Sequence, residues 1–202
     1  MAEQKLSPMQ LAQENFDLQR KRLSDEGYSE HEAIVSVLRA NVMALVLSLP
    51  FIVLFSVAFI LIWQMVSLES NKAILVLVAW IISIPVHELL HGIGWSLSCK
   101  DGFKSVRFGV MWSKLTPYCS CKEPLNFGQY LLGGILPLLV LGLLPSLIAV
   151  LTGNPYLLSF GILSIIAAGG DMLICLEMRK YPQAVFLDHP SECGFFAFKK
   201  SF

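Results

Sequence analysis

The chain has 202 residues, 15 basic and 15 acidic; 55% of its positions are hydrophobic and 15% are charged, and its mean hydropathy is +0.63. An ordinary water-soluble surface needs more charge than this, so an integral membrane protein is expected. With zero net charge there is no basic field to hold nucleic acid, and such a partner is not expected.

Residues 1–41 are polar and mixed in charge. No hydrophobic signal region opens the sequence, and insertion is expected to use internal segments. Ser7 and Pro8 make a helix start, with Met9, Ala12, Phe16 and Leu23 at roughly helical spacing until Gly27 ends the run. Ser29 with Glu32 matches a capping box and predicts a second helix through Ala33, Ile34, Val37 and Leu38. The expectation is a small cytoplasmic helical hairpin, a solvated or packing element with a binding motif as the alternative, and His31 on it reads as a surface residue.

The remainder, 42–202, reads as one membrane domain. Four segments are long enough to cross a bilayer: about Val42 to Val66, Ala73 to Ser98, Leu131 to Leu151 and Tyr156 to Leu176. From 124 to 170 there is no Asp, Glu, Lys or Arg. Lys and Arg are frequent before the first span, in the loop after the second and beyond the fourth. Only Lys72 lies between the first two, and Thr152 to Pro155 has none. Basic residues accumulate on the cytoplasmic side. Both termini and the middle loop are therefore expected in the cytoplasm of a multi-pass protein of the cell membrane.

Within that loop, Ser105 to Trp112 and Thr116 to Cys121 are rich in β-branched and aromatic residues around a turn at Ser113 and Lys114. A short cytoplasmic β-hairpin on the membrane surface is expected. The fold class is thus an all-α membrane protein of about four transmembrane helices, with this hairpin and the N-terminal helical hairpin added. The five cysteines, Cys99, Cys119, Cys121, Cys175 and Cys193, lack a disulfide pattern and read as thiols. Cys119 and Cys121, with Cys99 or Cys193, are a minor candidate for a second metal site.

The second span contains His87-Glu88-Leu89-Leu90-His91, the H-E-x-x-H pattern. At 100° per residue these three polar side chains share one helix face, so two imidazoles can hold a metal while the carboxylate reaches a water. A carboxylate between histidines inside a membrane helix costs several kcal/mol unless paired or hydrated. A zinc site needs a third donor, and Asp171 is the other ionisable residue deep in a span. Counted from the outer ends of their spans, His87 and Asp171 both lie about 21 to 22 Å deep. Gly92, Gly94, Gly169 and Gly170 are expected to bring these two helices together. Pro85 frees the Ile81 carbonyl and either opens a water path or makes a packing kink; Pro137 and Pro145 read as packing features.

The sequence resembles a family of bacterial integral membrane zincin metallopeptidases, a domain of unknown function similar in plan to the site-2 intramembrane proteases. The resemblance covers roughly residues 75 to 195. It rests on His87 to Gly92, on Thr116-Pro117-Tyr118-Cys119 through Lys122-Glu123-Pro124-Leu125, on Gly170-Asp171, and more weakly on Asp188-His189-Pro190. It implies a metal-dependent membrane endopeptidase with His87 and His91 as zinc ligands, Glu88 as general base and Asp171 as third ligand. The sequence departs from site-2 proteases in having Met172 after the aspartate, where they have Gly, and it shows no PDZ-type module.

Of the remaining polar residues, Asp188 and His189 read as a loop turn, with substrate binding or proton transfer as the alternative. Asn126 and Gln129 read as interfacial anchors, with substrate contacts as theirs. The expected function is zinc-dependent peptide hydrolysis in or near the membrane. Its partners are the lipid bilayer and a membrane-protein or peptide substrate. The rival readings are a divalent-metal transporter and an inactive membrane scaffold with a structural metal.

Overall fold

The computed structural model describes residues 8–64, 69–112 and 116–200. Helix α1, Pro8–Asp25, ends at Gly27, whose φ of 82° is the left-handed conformation that glycine adopts without strain. The chain then departs from the predicted second helix: Tyr28–Ile34 is a strand, β1. The Ser29/Glu32 pattern is therefore not a cap; the side chain of Ser36 accepts from the Arg39 N–H and starts the next helix, α2, Val37–Trp63. The reason is long-range pairing. β1 lies antiparallel to a C-terminal strand, with Tyr28 opposite Lys200 and Ile34 opposite Gly194. The expected N-terminal helical hairpin is a helix followed by a strand, and the fold is not all-α.

The helix α3 spans Ser70–Ser96 and runs unbroken through Pro85. After it come a tight turn at Gly102–Ser105 and the expected hairpin, β2 (Val106–Met111) and β3 (Thr116–Cys121), with Phe108 opposite Cys119. The turn at Ser113 and Lys114 lies outside the described residues. A short strand β4, Leu125–Asn126, leads into α4, Phe127–Pro137, then a π-helical turn over Leu138–Leu143 and α5, Leu144–Thr152. Asn126 and Gln129 form a reciprocal capping box at 3.0 Å each way, so their polar groups start α4.

Among the described residues, three helical stretches are long and apolar enough to cross a membrane: Val37–Trp63, Ser70–Ser96 and Phe127–Thr152. The pair α6, Pro155–Ala167, and α7, Gly169–Met178, bent by 43°, makes a fourth such stretch when counted as one span. The expected fourth span is thus broken, and the break gives Asp171 a place in the first turn of α7, where unpaired backbone N–H groups favour a carboxylate.

Strands β5, Val185–Asp188, and β6, Gly194–Lys200, complete a four-stranded antiparallel sheet in the order β1-β6-β5-β4. Both of its faces are covered. Phe186, Phe195 and Ala197 pack with Trp95, Tyr130 and Met178 at the helix ends, while Leu187, Phe196 and Phe198 pack with Phe16 and Leu23 of α1. His31 remains exposed, on β1 rather than on a helix, and stacks on Tyr181.

The glycines serve neighbours other than those expected. A methyl on Gly94 would lie 2.6 Å from the Cα of Gly133, so α3 meets α4 there; Gly92 lies under Phe108, Gly169 lies against Ala44 of α2, and Gly170 has nothing within 4 Å. Gly94→Ala is expected to destabilise the protein by about 1–3 kcal/mol, whereas Gly170→Ala should leave it unchanged or slightly stabilised. Thermal unfolding of the purified protein in detergent checks this, and equal midpoints for the two variants would refute the packing.

Candidate metal centre

The helical repeat of α3 turns His87, Glu88, His91 and Trp95 toward a cavity of about 1180 Å3 bounded by the hairpin, α1 and the segment after β5. This exceeds the ~300–1,000 Å3 of an ordinary small-molecule pocket and has room for a stretch of polypeptide. Asp171 enters from α7. His87 Nε2 is 3.0 Å from Asp171 Oδ2, His91 Nε2 is 3.4 Å from Asp171 Oδ1, and the two Nε2 atoms are 3.2 Å apart. Among the described residues these three are the group of His, Cys, Asp or Glu side chains close enough to share an ion.

Hydrogen bonding fixes which nitrogen is free. His91 Nδ1 is 2.8 Å from the carbonyl oxygen of Gly133, which can only accept, so Nδ1 carries the proton and Nε2 presents its lone pair. Residue 137 is proline, whose nitrogen has no hydrogen to return to the carbonyl four residues back, so no backbone N–H of that ladder competes with His91 for the Gly133 carbonyl. Pro137 therefore has a role beyond packing. Trp95 repeats the arrangement one turn along, its indole N–H donating to the Tyr130 carbonyl at 3.0 Å while its ring stacks on His91.

The Nε2 atoms of two imidazoles and a carboxylate thus converge at 3.0–3.4 Å. Such an array is repulsive unless a cation or proton lies among the donors. Tetrahedral zinc with bonds of ~2.0–2.1 Å has ligand–ligand edges of about 3.3 Å, so the donor types and their spacing both fit zinc. Glu88 is not in this group; it lines the cavity together with Cys119 of β3.

The other candidates fall elsewhere. Cys121 Sγ lies 3.2 Å from Cys99 Sγ, and among the described residues no cysteine group of three is close enough to share an ion. Burial pushes the Cys119 and Cys121 thiols far above the ordinary thiol range, so both are neutral. His189 accepts the Glu192 N–H at Nδ1 (2.8 Å) and faces Glu32 through Nε2 (3.2 Å), away from the trio. Asp188 ends β5 instead of lying in a turn; its carboxylate accepts the Cys121 N–H at 2.6 Å and the Tyr130 hydroxyl, and burial pushes its pKa up to about 6.

Restoring a hydrogen at residue 137 should let the α4 backbone compete for the Gly133 carbonyl. Pro137→Ala is expected to weaken zinc retention by roughly 10- to 100-fold, the range for lost outer partners of a ligating histidine. Titration with a chelator measures it; unchanged affinity would show that this carbonyl does not set His91.

Residues 80–186, just over half of the chain, match the family described as putative zincin peptidase. No curated protein and no solved structure matches.

Proposed function

The chain belongs to the putative zincin peptidase family, and from that premise we propose that it is a zinc-dependent endopeptidase of the cell membrane that hydrolyses peptide bonds in or near the bilayer. The observation that carries this reading is the convergence of His87, His91 and Asp171 ligand atoms, with Glu88 beside them, in the lining of a cavity large enough for polypeptide. His87, His91 and Asp171 are the proposed ligands. When bound there, zinc supplies Lewis-acid polarisation of the scissile carbonyl and acidifies water.

The residues of the chain do the rest. Glu88, outside the ligand set but on the same helix face, accepts a proton from the attacking water and hands it to the leaving amine. His91 is held by the Gly133 carbonyl in the tautomer that offers Nε2. A substrate must present an unwound segment, because an intact helix keeps its carbonyls in its own hydrogen-bond ladder. The cavity walls from β2 and β3 give an extended segment a strand to lie against. The Lys and Arg distribution supports a cytoplasmic location for both termini and the hairpin; the bilayer and a membrane-protein or peptide substrate are the proposed partners.

Glu88→Gln keeps the size and hydrogen-bonding capacity of the side chain but removes the base. It should retain zinc while cleavage of a co-reconstituted membrane peptide falls by roughly 10² to 10⁴-fold. His87→Ala with His91→Ala should lose the zinc. Undiminished cleavage by Glu88→Gln would refute the mechanism. Metal uptake into liposomes without proteolysis by the wild type would favour a transporter, and zinc retention with neither activity a scaffold.

A further inference from the structure

We propose that Asp188 is a positioning residue for this centre, holding at once the strand edge that faces Glu88 and the helix turn that orients His91. The proposal rests on the metallopeptidase reading above. Its first arm runs into the hairpin. The Lys122 N–H donates to the Ser105 carbonyl on the β2 side at 2.8 Å. Along a strand, alternate N–H groups face the same edge. Those of Cys119 and Cys121 therefore face away from β2. Cys121 donates to Asp188 Oδ2 at 2.6 Å, and Cys119, two residues back on the same edge, lines the cavity that Glu88 also lines. Asp188 thus holds one edge of β3, and its position sets where that edge lies relative to Glu88.

The second arm runs into α4. The Tyr130 hydroxyl donates to Asp188 Oδ1, and the backbone carbonyl of Tyr130 receives the Trp95 indole. One turn further along α4, Gly133 receives His91. His91 and Trp95, one turn apart on α3, are therefore matched to Gly133 and Tyr130, one turn apart on α4. Asp188 fixes the side chain at the start of that register. Asp188 is not one of the three residues that can share an ion; it reaches them through Tyr130 and β3, and its charge also acts on His91 through space. Sequence position alone gives no hint of this, since Asp188 is 67 residues from Cys121 and 58 from Tyr130.

The test compares wild type with Asp188→Asn and Tyr130→Phe, each loaded with Co2+ in place of zinc. The asparagine side chain preserves size, can accept from Cys121 and can donate to the Tyr130 oxygen, so the fold should persist with little change in thermal midpoint. It has lost the charge that both donors address. The expected result is an altered Co2+ visible spectrum, metal affinity lower by roughly 10- to 100-fold, and a fall in kcat with KM changed less than about twofold. Tyr130→Phe should reproduce the spectral change, and the double variant should be no worse than Asp188→Asn alone.

An Asp188→Asn protein with wild-type spectrum, affinity and kcat would overturn the proposal, as would equal losses in every readout that merely follow a lowered thermal midpoint. If the wild type binds Co2+ but cleaves nothing, the peptidase reading fails while the spectra still judge Asp188. If the wild type binds no Co2+, both fall.

Discussion

The contact of α3 with α4 governs the centre. Gly94 and Gly133 have no side chains, and a methyl on Gly133 would sit 2.1 Å from the Trp95 ring. This closeness lets an imidazole on one helix reach a backbone carbonyl on the other without stretching the 2.8 Å hydrogen bond between His91 and Gly133. A carbonyl inside a helix is normally spoken for. Here Pro137 removes the competing donor, and the π-helical turn at Leu138–Leu143 follows at once. An irregular stretch of an apolar helix thus becomes the acceptor that selects the tautomer of His91.

The carboxylate side is arranged differently. Asp171 lies at a helix start because the chain bends between α6 and α7 at Ala168, whose φ and ψ of −77° and 2° leave the helical region. The partial positive charge of the α7 N-terminus lowers the cost of a carboxylate in an apolar layer. At the other end of α7, Glu177 pairs with Arg39 and Lys180, tying α2 and α7 together where the helices meet the polar layer. The sheet closes that layer. Its β6 joins the helix ends through Phe195 and Ala197 and holds α1 through Phe196 and Phe198, so the N-terminal helix becomes a wall of the same cavity that contains Glu88.

Much of the centre was legible because its signals are local or repeat with the helix. The spacing of His87, Glu88 and His91 specifies a shared face, and an aspartate at matching depth in an otherwise apolar span points to its partner. The strands were harder to read for two physical reasons. Residues 195–198, Phe-Phe-Ala-Phe, are covered on both faces, so they lack the alternation of a half-buried strand. β1 is an exposed edge whose polar residues resemble a helix cap until β6, some 170 residues away, is brought beside it. The value of Pro137 was hidden for the same reason: the donor that needs its freed acceptor is on another helix.

In the proposed centre two imidazoles and a carboxylate hold one zinc while the cysteines hold none. X-ray absorption at the zinc edge of the purified, zinc-loaded protein tests it directly. The expected spectrum has nitrogen and oxygen neighbours at ~2.0–2.1 Å with imidazole scattering from two histidines and no sulfur. A sulfur shell at ~2.3 Å would contradict it and move the metal to the thiols near Cys99 and Cys121.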